Sequence, residues 1–216
     1  MGKIPKAPEV DEGLHSIANM PGLDDETRTR LAALIDEGWQ IWEKFDLEVR
    51  SQDFHPFVAA DYEKVLRALL PLRAPGQRFL EWGSATGVIT IMADMLGFEA
   101  YGIELDASLV EIARGLAARH GSKATFVAGS FLPNSYRWRP RGGGDARIGT
   151  IGTGDSAYPE LGRALDDFDV VYGYPWTGEE PMMQDLMRTF GARDARLLLH
   201  GGSLGLRVFR GGRLMA

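Results

Sequence analysis

Cysteine is absent from this 216-residue chain, so disulfides, thiolate metal sites and cysteine nucleophiles are excluded at once. Histidine is scarce. There are four, none paired at i,i+3 or i,i+4, which leaves little from which to build a zinc site. No apolar run approaches the roughly 18 residues of a membrane span. The start, Met1-Gly2-Lys3-Ile4-Pro5-Lys6, is not followed by the apolar stretch of a secretory signal. Lys6 stands where a myristoylation signal has Ser or Thr, and the C-terminus has no Cys for prenylation. These absences predict a soluble, cytoplasmic protein with no membrane partner. Basic residues number 24 against 30 acidic, a net charge of −6, so nucleic acid is not an expected partner. What remains is ordinary globular composition, 44% hydrophobic and 25% charged, in a chain long enough to bury a core without staples.

Two further motifs are missing. Gly149 to Ser156 has the outer spacing of a P-loop, but Asp155 stands where Lys is required. Gly202-Ser203-Leu204-Gly205 does not make a Gly-x-Ser-x-Gly elbow.

Residues 1–22 hold Pro5, Pro8 and Pro21 with little periodicity and read as a loose lead-in. Asp24-Asp25-Glu26 then opens a helix, and Leu31, Leu34, Ile35, Trp42, Phe45 and Val49 recur at helical spacing. Phe54-His55-Pro56-Phe57 breaks it, and a second helix runs over about 61–70. From Gly76 onward short apolar runs alternate with helical stretches. Strands are predicted at 78–82, 100–104, 124–128, 168–174 and 196–200, with helices at 88–96, 107–119 and 180–190. That alternation implies an α/β fold, a doubly wound and mostly parallel sheet. Residues 1–60 form an arm and helical cap in this reading, and 61–216 the main domain. The Gly- and Arg-rich stretch 137–155 reads as an insertion.

Leu80-Glu81-Trp82-Gly83-Ser84-Ala85-Thr86-Gly87-Val88 follows a strand and opens a helix. Gly83 and Gly87 allow a tight turn and close approach of a ligand, and the new helix presents amides to an anion. A dinucleotide fingerprint needs glycine at 83, 85 and 88, and the chain has Gly, Ala and Val there. Glu81, just before the turn, suits a cationic group. Glu104 ends the next strand, where an acidic side chain accepts ribose hydroxyls, a placement shared with dinucleotide-binding folds.

The segment Glu81 to Gly87 resembles motif I of class I S-adenosylmethionine-dependent methyltransferases, with Ala85 in place of the middle glycine. The resemblance covers about residues 76–200. It implies S-adenosyl-L-methionine as cofactor, its ammonium near Glu81 and its carboxylate on the loop amides. It assigns Glu81, Gly83, Ser84, Ala85, Gly87, Glu104, Leu105, Gly129, Ser130, Phe131 and Tyr172 to the cofactor, Ser130 and Phe131 on the adenine side. An ordinary strand-to-loop turn at 129–131 is the alternative. The implied activity is methyl transfer to a small molecule. A non-catalytic S-adenosylmethionine-binding or interaction module is the second reading.

On the acceptor side, amino methyltransferases of this kind often carry Asn/Asp-Pro-Pro before an aromatic. This chain has Gly173-Tyr174-Pro175-Trp176 and so lacks the side-chain acceptor. Tyr174 and Trp176 form an aromatic wall or pack as rim residues. Candidate catalytic residues are Tyr174, His200 and His55. Beyond His200 only 16 residues remain, too few for the family's usual helix and hairpin. Residues 206–209 are expected to pair antiparallel with the 196–200 strand, shortening the sheet to about six strands. Its exposed edge leaves room for a homo-oligomer.

Overall fold

The computed structural model describes residues 17, 20–52, 57–137, 154–176, 178–201 and 205–215. Three aspartates cap helices. Asp24 caps α1 (Asp25–Phe45), its carboxylate accepting from Thr27 N at 2.7 Å. Asp61 caps α2 (Tyr62–Leu69) and Asp106 caps α4 (Ala107–Arg119), each accepting a backbone amide of the first turn. Between them the chain alternates β1 (Arg78–Trp82), α3 (Val88–Met95) and β2 (Glu99–Glu104). There follow β3 (Thr125–Ala128), the short α5 (Tyr158–Leu161), β4 (Val170–Gly173), α6 (Glu180–Phe190) and β5 (Arg196–His200). The chain closes with β6 (Leu206–Arg210) and β7 (Arg213–Leu214).

These strands form one sheet in the order β3-β2-β1-β4-β5-β6-β7. The first five are parallel; β6 runs antiparallel to β5, with Leu206 opposite His200, as its short glycine-rich connection requires. The count of six strands is corrected to seven. Gly211-Gly212, both at positive φ, turn the chain back into a two-residue β7 that the sequence pattern was too short to show.

Alternation along each strand separates two cores. Phe79, Glu81, Val170 and Tyr172 face the layer built by α1, α2, α3 and α4, whereas Leu80, Trp82 and Val171 face the layer of α5 and α6. Leu31 and Leu34 of α1 are fully buried in the first core, beside Val65, Leu66 and Leu69 of α2. Gly38 lets α1 approach α3 closely: a Cβ there would sit 2.7 Å from Val88 Cγ2. Glu37 ties the same helix to the end of α4, accepting from Arg119 Nε and bonding His120 Nε2, each at 2.7 Å.

Two expectations about the N-terminal third are corrected. Ile17, Met20 and Leu23 are buried in the first core, so the end of the 1–22 stretch is packed and not a loose lead-in. Val49 is 39% exposed, because α1 ends at Phe45 and widens into a π-helical turn, Asp46–Arg50, with no buried residue. Residues 138–153 of the Gly/Arg-rich stretch lie outside the described residues, as does His55.

Because α1 shares one continuous core with the sheet, Leu34→Ala should cost about 2–4 kcal/mol. Urea denaturation measures this; a loss below about 1 kcal/mol would show that α1 packs more loosely than its burial indicates.

Candidate functional site

The strand order reverses between β1 and β4, and the crevice beyond their carboxyl ends is where ligands bind in open α/β sheets. A cleft opens there. Its lining includes Glu81, the loop Gly83 to Thr86, Val88 and Ile89, with Tyr172 and Tyr174 from the β4 side. Phe57 to Ala60 and Tyr62 close it from the N-terminal third. Thus Glu81, Gly83, Ser84, Ala85, Tyr172 and Tyr174 are brought together.

Glu81 is 4% exposed. Burial pushes its carboxyl up to about 8; a hydrogen bond from Thr90 Oγ1 at 2.5 Å pulls the other way, and the charge of Glu104 adds to the rise. Thr90 lies in the first turn of α3. It carried no sequence signal, since a single helical Thr is common. Glu81 in turn raises the phenols of Tyr62 and Tyr172, though burial is the larger cause for both.

The turn after β1 is held from below. Gly83 N and Ser84 N both donate to Ile103 O at 2.9 Å, Ala85 N to Glu104 Oε2 at 2.8 Å, and Gly87 N to Ser84 O at 2.7 Å. Gly83 and Gly87 take positive φ of 73° and 82°. Ala85 has φ 45°, alone among the described non-glycine residues in being positive, so the motif's middle position keeps its left-handed turn without glycine. Glu104 also accepts from Asp106 N at 3.0 Å through its other oxygen. Burial raises its carboxyl, against those amide bonds.

The adenine-side candidates are placed differently. Ser130 N donates to Asp155 O at 2.8 Å, Ala157 N donates to Ser130 O, and Ser130 forms a parallel bridge with Ser156. Ser130 Oγ accepts from Leu132 N. Gly129, at φ 146°, would place a Cβ 2.9 Å from Asp155 O, and Leu105 lies against Gly154. Residues 154–157 therefore cover this turn, a contact with no signature in the sequence. The Phe131 ring stacks on Trp82 at 5.2 Å and 18°, in the α5–α6 core. Trp82 Nε1 in turn donates to Tyr158 Oη.

On the acceptor side His200 is 8% exposed and its ring lies 4.3 Å from that of Tyr174. Burial lowers its pKa, with Asp61 opposing and Lys64 reinforcing that shift. The α2 start, the β4 exit and the β5 end thus meet at one place. Glu179 is buried and accepts from Trp176 N at 2.9 Å, bracing the turn into α6.

No family model matches the chain. Over 95 residues it is 30% identical to a ribosomal protein L11 methyltransferase of Thermus thermophilus, which covers 43% of this chain and 37% of that one. The chain thus spans little more than a third of that curated relative. Among solved structures, a methyltransferase from Geobacter sulfurreducens superposes with a TM-score of 0.50 at 13% identity, covering 89% of this chain and 80% of its own. An RNA methyltransferase from Salinibacter ruber, in complex with S-adenosyl-L-homocysteine, aligns at a TM-score of 0.45 and 17% identity over 66% of this chain and 76% of that one. The fold is that of the class I methyltransferases. Among the described residues no helix is long and apolar enough to cross a membrane.

Proposed function

We propose that this chain binds S-adenosyl-L-methionine in the cleft between β1 and β4 and transfers its methyl group to an acceptor entering beside Tyr174. The observation that carries this is a buried carboxylate, Glu81, beneath a left-handed glycine turn at the point where the strand order reverses. The residues fit the group. Gly83 offers open space where a Cβ would stand, Glu81 matches an ammonium, and Ser84 Oγ and Tyr172 Oη are buried without partners among the described residues. The cofactor, when bound, supplies a methyl group already activated on a sulfonium. The protein's part is then to hold and orient it, exclude water and leave room for the acceptor's lone pair. In this reading Tyr174 walls the acceptor side, and His200, packed against the Tyr174 ring and kept neutral by burial, serves as the proton acceptor.

A small-molecule acceptor suits the acidic total. A protein acceptor is the second reading, favoured by the curated relative's name. An acidic total leaves room for local basic patches, so charge alone does not exclude nucleic acid.

Calorimetry with S-adenosyl-L-homocysteine tests the reading. Binding is expected in the micromolar range or tighter. Glu104→Ala should weaken it by about tenfold or more through loss of ribose contacts. Binding of NAD in place of either S-adenosyl ligand would overturn it.

A further inference from the structure

Charge is divided unevenly along the chain. The whole carries −6, yet residues 193–216 hold five arginines against one acid, Asp194. Such asymmetry is a mark of contact with a polyanion.

The sheet brings three of these arginines into register. Arg196 of β5 lies directly opposite Arg210 of β6, and Arg210 lies directly opposite Arg213 of β7. Side chains opposite one another on neighbouring strands share a face, and the strands stand about 4.8 Å apart. The three therefore form a row across the last three strands. Arg193 stands beside them: its carbonyl lies 3.8 Å from where a Cβ on Gly211 would be. Arg193, Arg210 and Arg213 are exposed and Arg196 is half-buried. One carboxylate answers the row. Asp194 accepts from Arg210 Nη2 at 2.8 Å, and its side chain is 83% exposed. A pair so open to solvent contributes little. No ion pair among the described residues reaches the side chains of Arg193, Arg196 or Arg213.

Like charges set directly opposite each other cost stability. A single charge is enough to discourage another chain from pairing with a sheet edge. A row of three in register on one face exceeds that need. Beside it Leu214 and Met215 are 60% and 43% exposed.

We propose that the arginine row across β5, β6 and β7 holds the sugar-phosphate backbone of a single-stranded nucleic acid. Each guanidinium offers a planar fork that fits a phosphate through two hydrogen bonds. A phosphodiester chain carries a charge at every link, so one strand meets several arginines in succession. Its bases can cover the apolar surface of Leu214 and Met215, which a run of carboxylates cannot use. Arg196 begins β5 and His200 ends it at the cleft, about 13 Å further along the strand. The row thus grips and positions a strand without entering the cleft, and does so whatever fills that cleft.

Fluorescence anisotropy with a labelled single-stranded RNA tests this. Raising salt from about 50 to about 200 mM should weaken binding about twentyfold, as counterion release from three phosphates implies. The triple variant Arg196→Gln/Arg210→Gln/Arg213→Gln should bind about tenfold more weakly or worse at the lower salt and lose most of the salt dependence. The matching triple Lys variant should keep most of the affinity. Arg193→Gln/Arg213→Gln changes only exposed, unpaired side chains and should show part of the same loss in a protein whose core is untouched. Affinity for S-adenosyl-L-homocysteine should be the same in all of them. An RNA affinity unaltered by the Gln substitutions would overturn the proposal. So would equal or tighter binding of poly-glutamate or of phosphatidylserine vesicles, which would assign the row to an acidic protein or a membrane surface. RNA binding by a protein that takes up no S-adenosyl ligand would overturn the cofactor reading and leave this one standing.

Discussion

Glu81→Gln is expected to abolish most S-adenosyl binding while making the ligand-free protein more resistant to alkaline pH. The carboxyl has a folded-state value of about 8, against an ordinary 4.5, because burial favours its neutral form. A raised value means that folding takes up a proton between those limits. The stabilising contribution is therefore complete below about pH 4.5 and is lost as pH rises through about 8. Glutamine mimics the neutral acid at every pH, so the variant should lack that decline. Denaturant unfolding at pH 5, 7 and 9 measures it: wild type should lose a few kcal/mol across the range in this one contribution, and the variant should not. Binding moves oppositely. A ligand ammonium recruits the charged carboxylate, so wild-type association near pH 7 should release close to one proton, seen as a buffer-dependent heat. The variant should bind about a hundredfold more weakly and release none. Wild-type binding with no dependence on buffer would contradict a neutral Glu81 in the free site.

The two outer glycines of the turn should fail in different ways. A Cβ on Gly87 would lie 2.7 Å from the Phe126 ring and 2.8 Å from Ala113 Cβ, with φ already at 82°. Neither neighbour is a flexible tip: Phe126 belongs to β3 and Ala113 to α4. Gly87→Ala should therefore cost about 3 kcal/mol or more, combining left-handed strain with overpacking. A Cβ on Gly83 meets nothing within 4 Å. Gly83→Ala should cost only about 1–2 kcal/mol of backbone strain, yet lose most ligand affinity by occupying the cleft. Thermal melts paired with calorimetry separate the two. A Gly83→Ala protein that keeps wild-type affinity would place the ligand elsewhere.

The sequence pattern was most informative where periodicity was long or chemistry local. β1, α4, α6 and β5 start and end where apolar spacing and capping residues put them. Glu81 and the turn after it were legible because glycine and acid in that order have few other uses. Less was legible where burial depends on distant partners. Ile17, Met20 and Leu23 are buried although Met20 and Leu23 are not helical and a turn at Pro21-Gly22 separates them, so no periodic pattern marked them. Val49 kept the helical spacing of α1 after the helix itself had ended. Phe131 looked like a ring free to stack on a ligand; its neighbour across the sheet, Trp82, claims it. Gly38 gave no signal in the sequence, and its use appears only once Val88 is seen against it.

The internal hydrogen bonds of the glycine turn also bear on how fast and how tightly a ligand is taken up. Four of its amides are satisfied before any ligand arrives, and Val88, which opens α3 behind it, is backed by α1. The entropy of ordering this segment is thus lost during folding and not on association. Ligand capture should behave as entry into a standing site, with little conformational cost charged against affinity, and the same amides should exchange with solvent as slowly as those of the strands beside them.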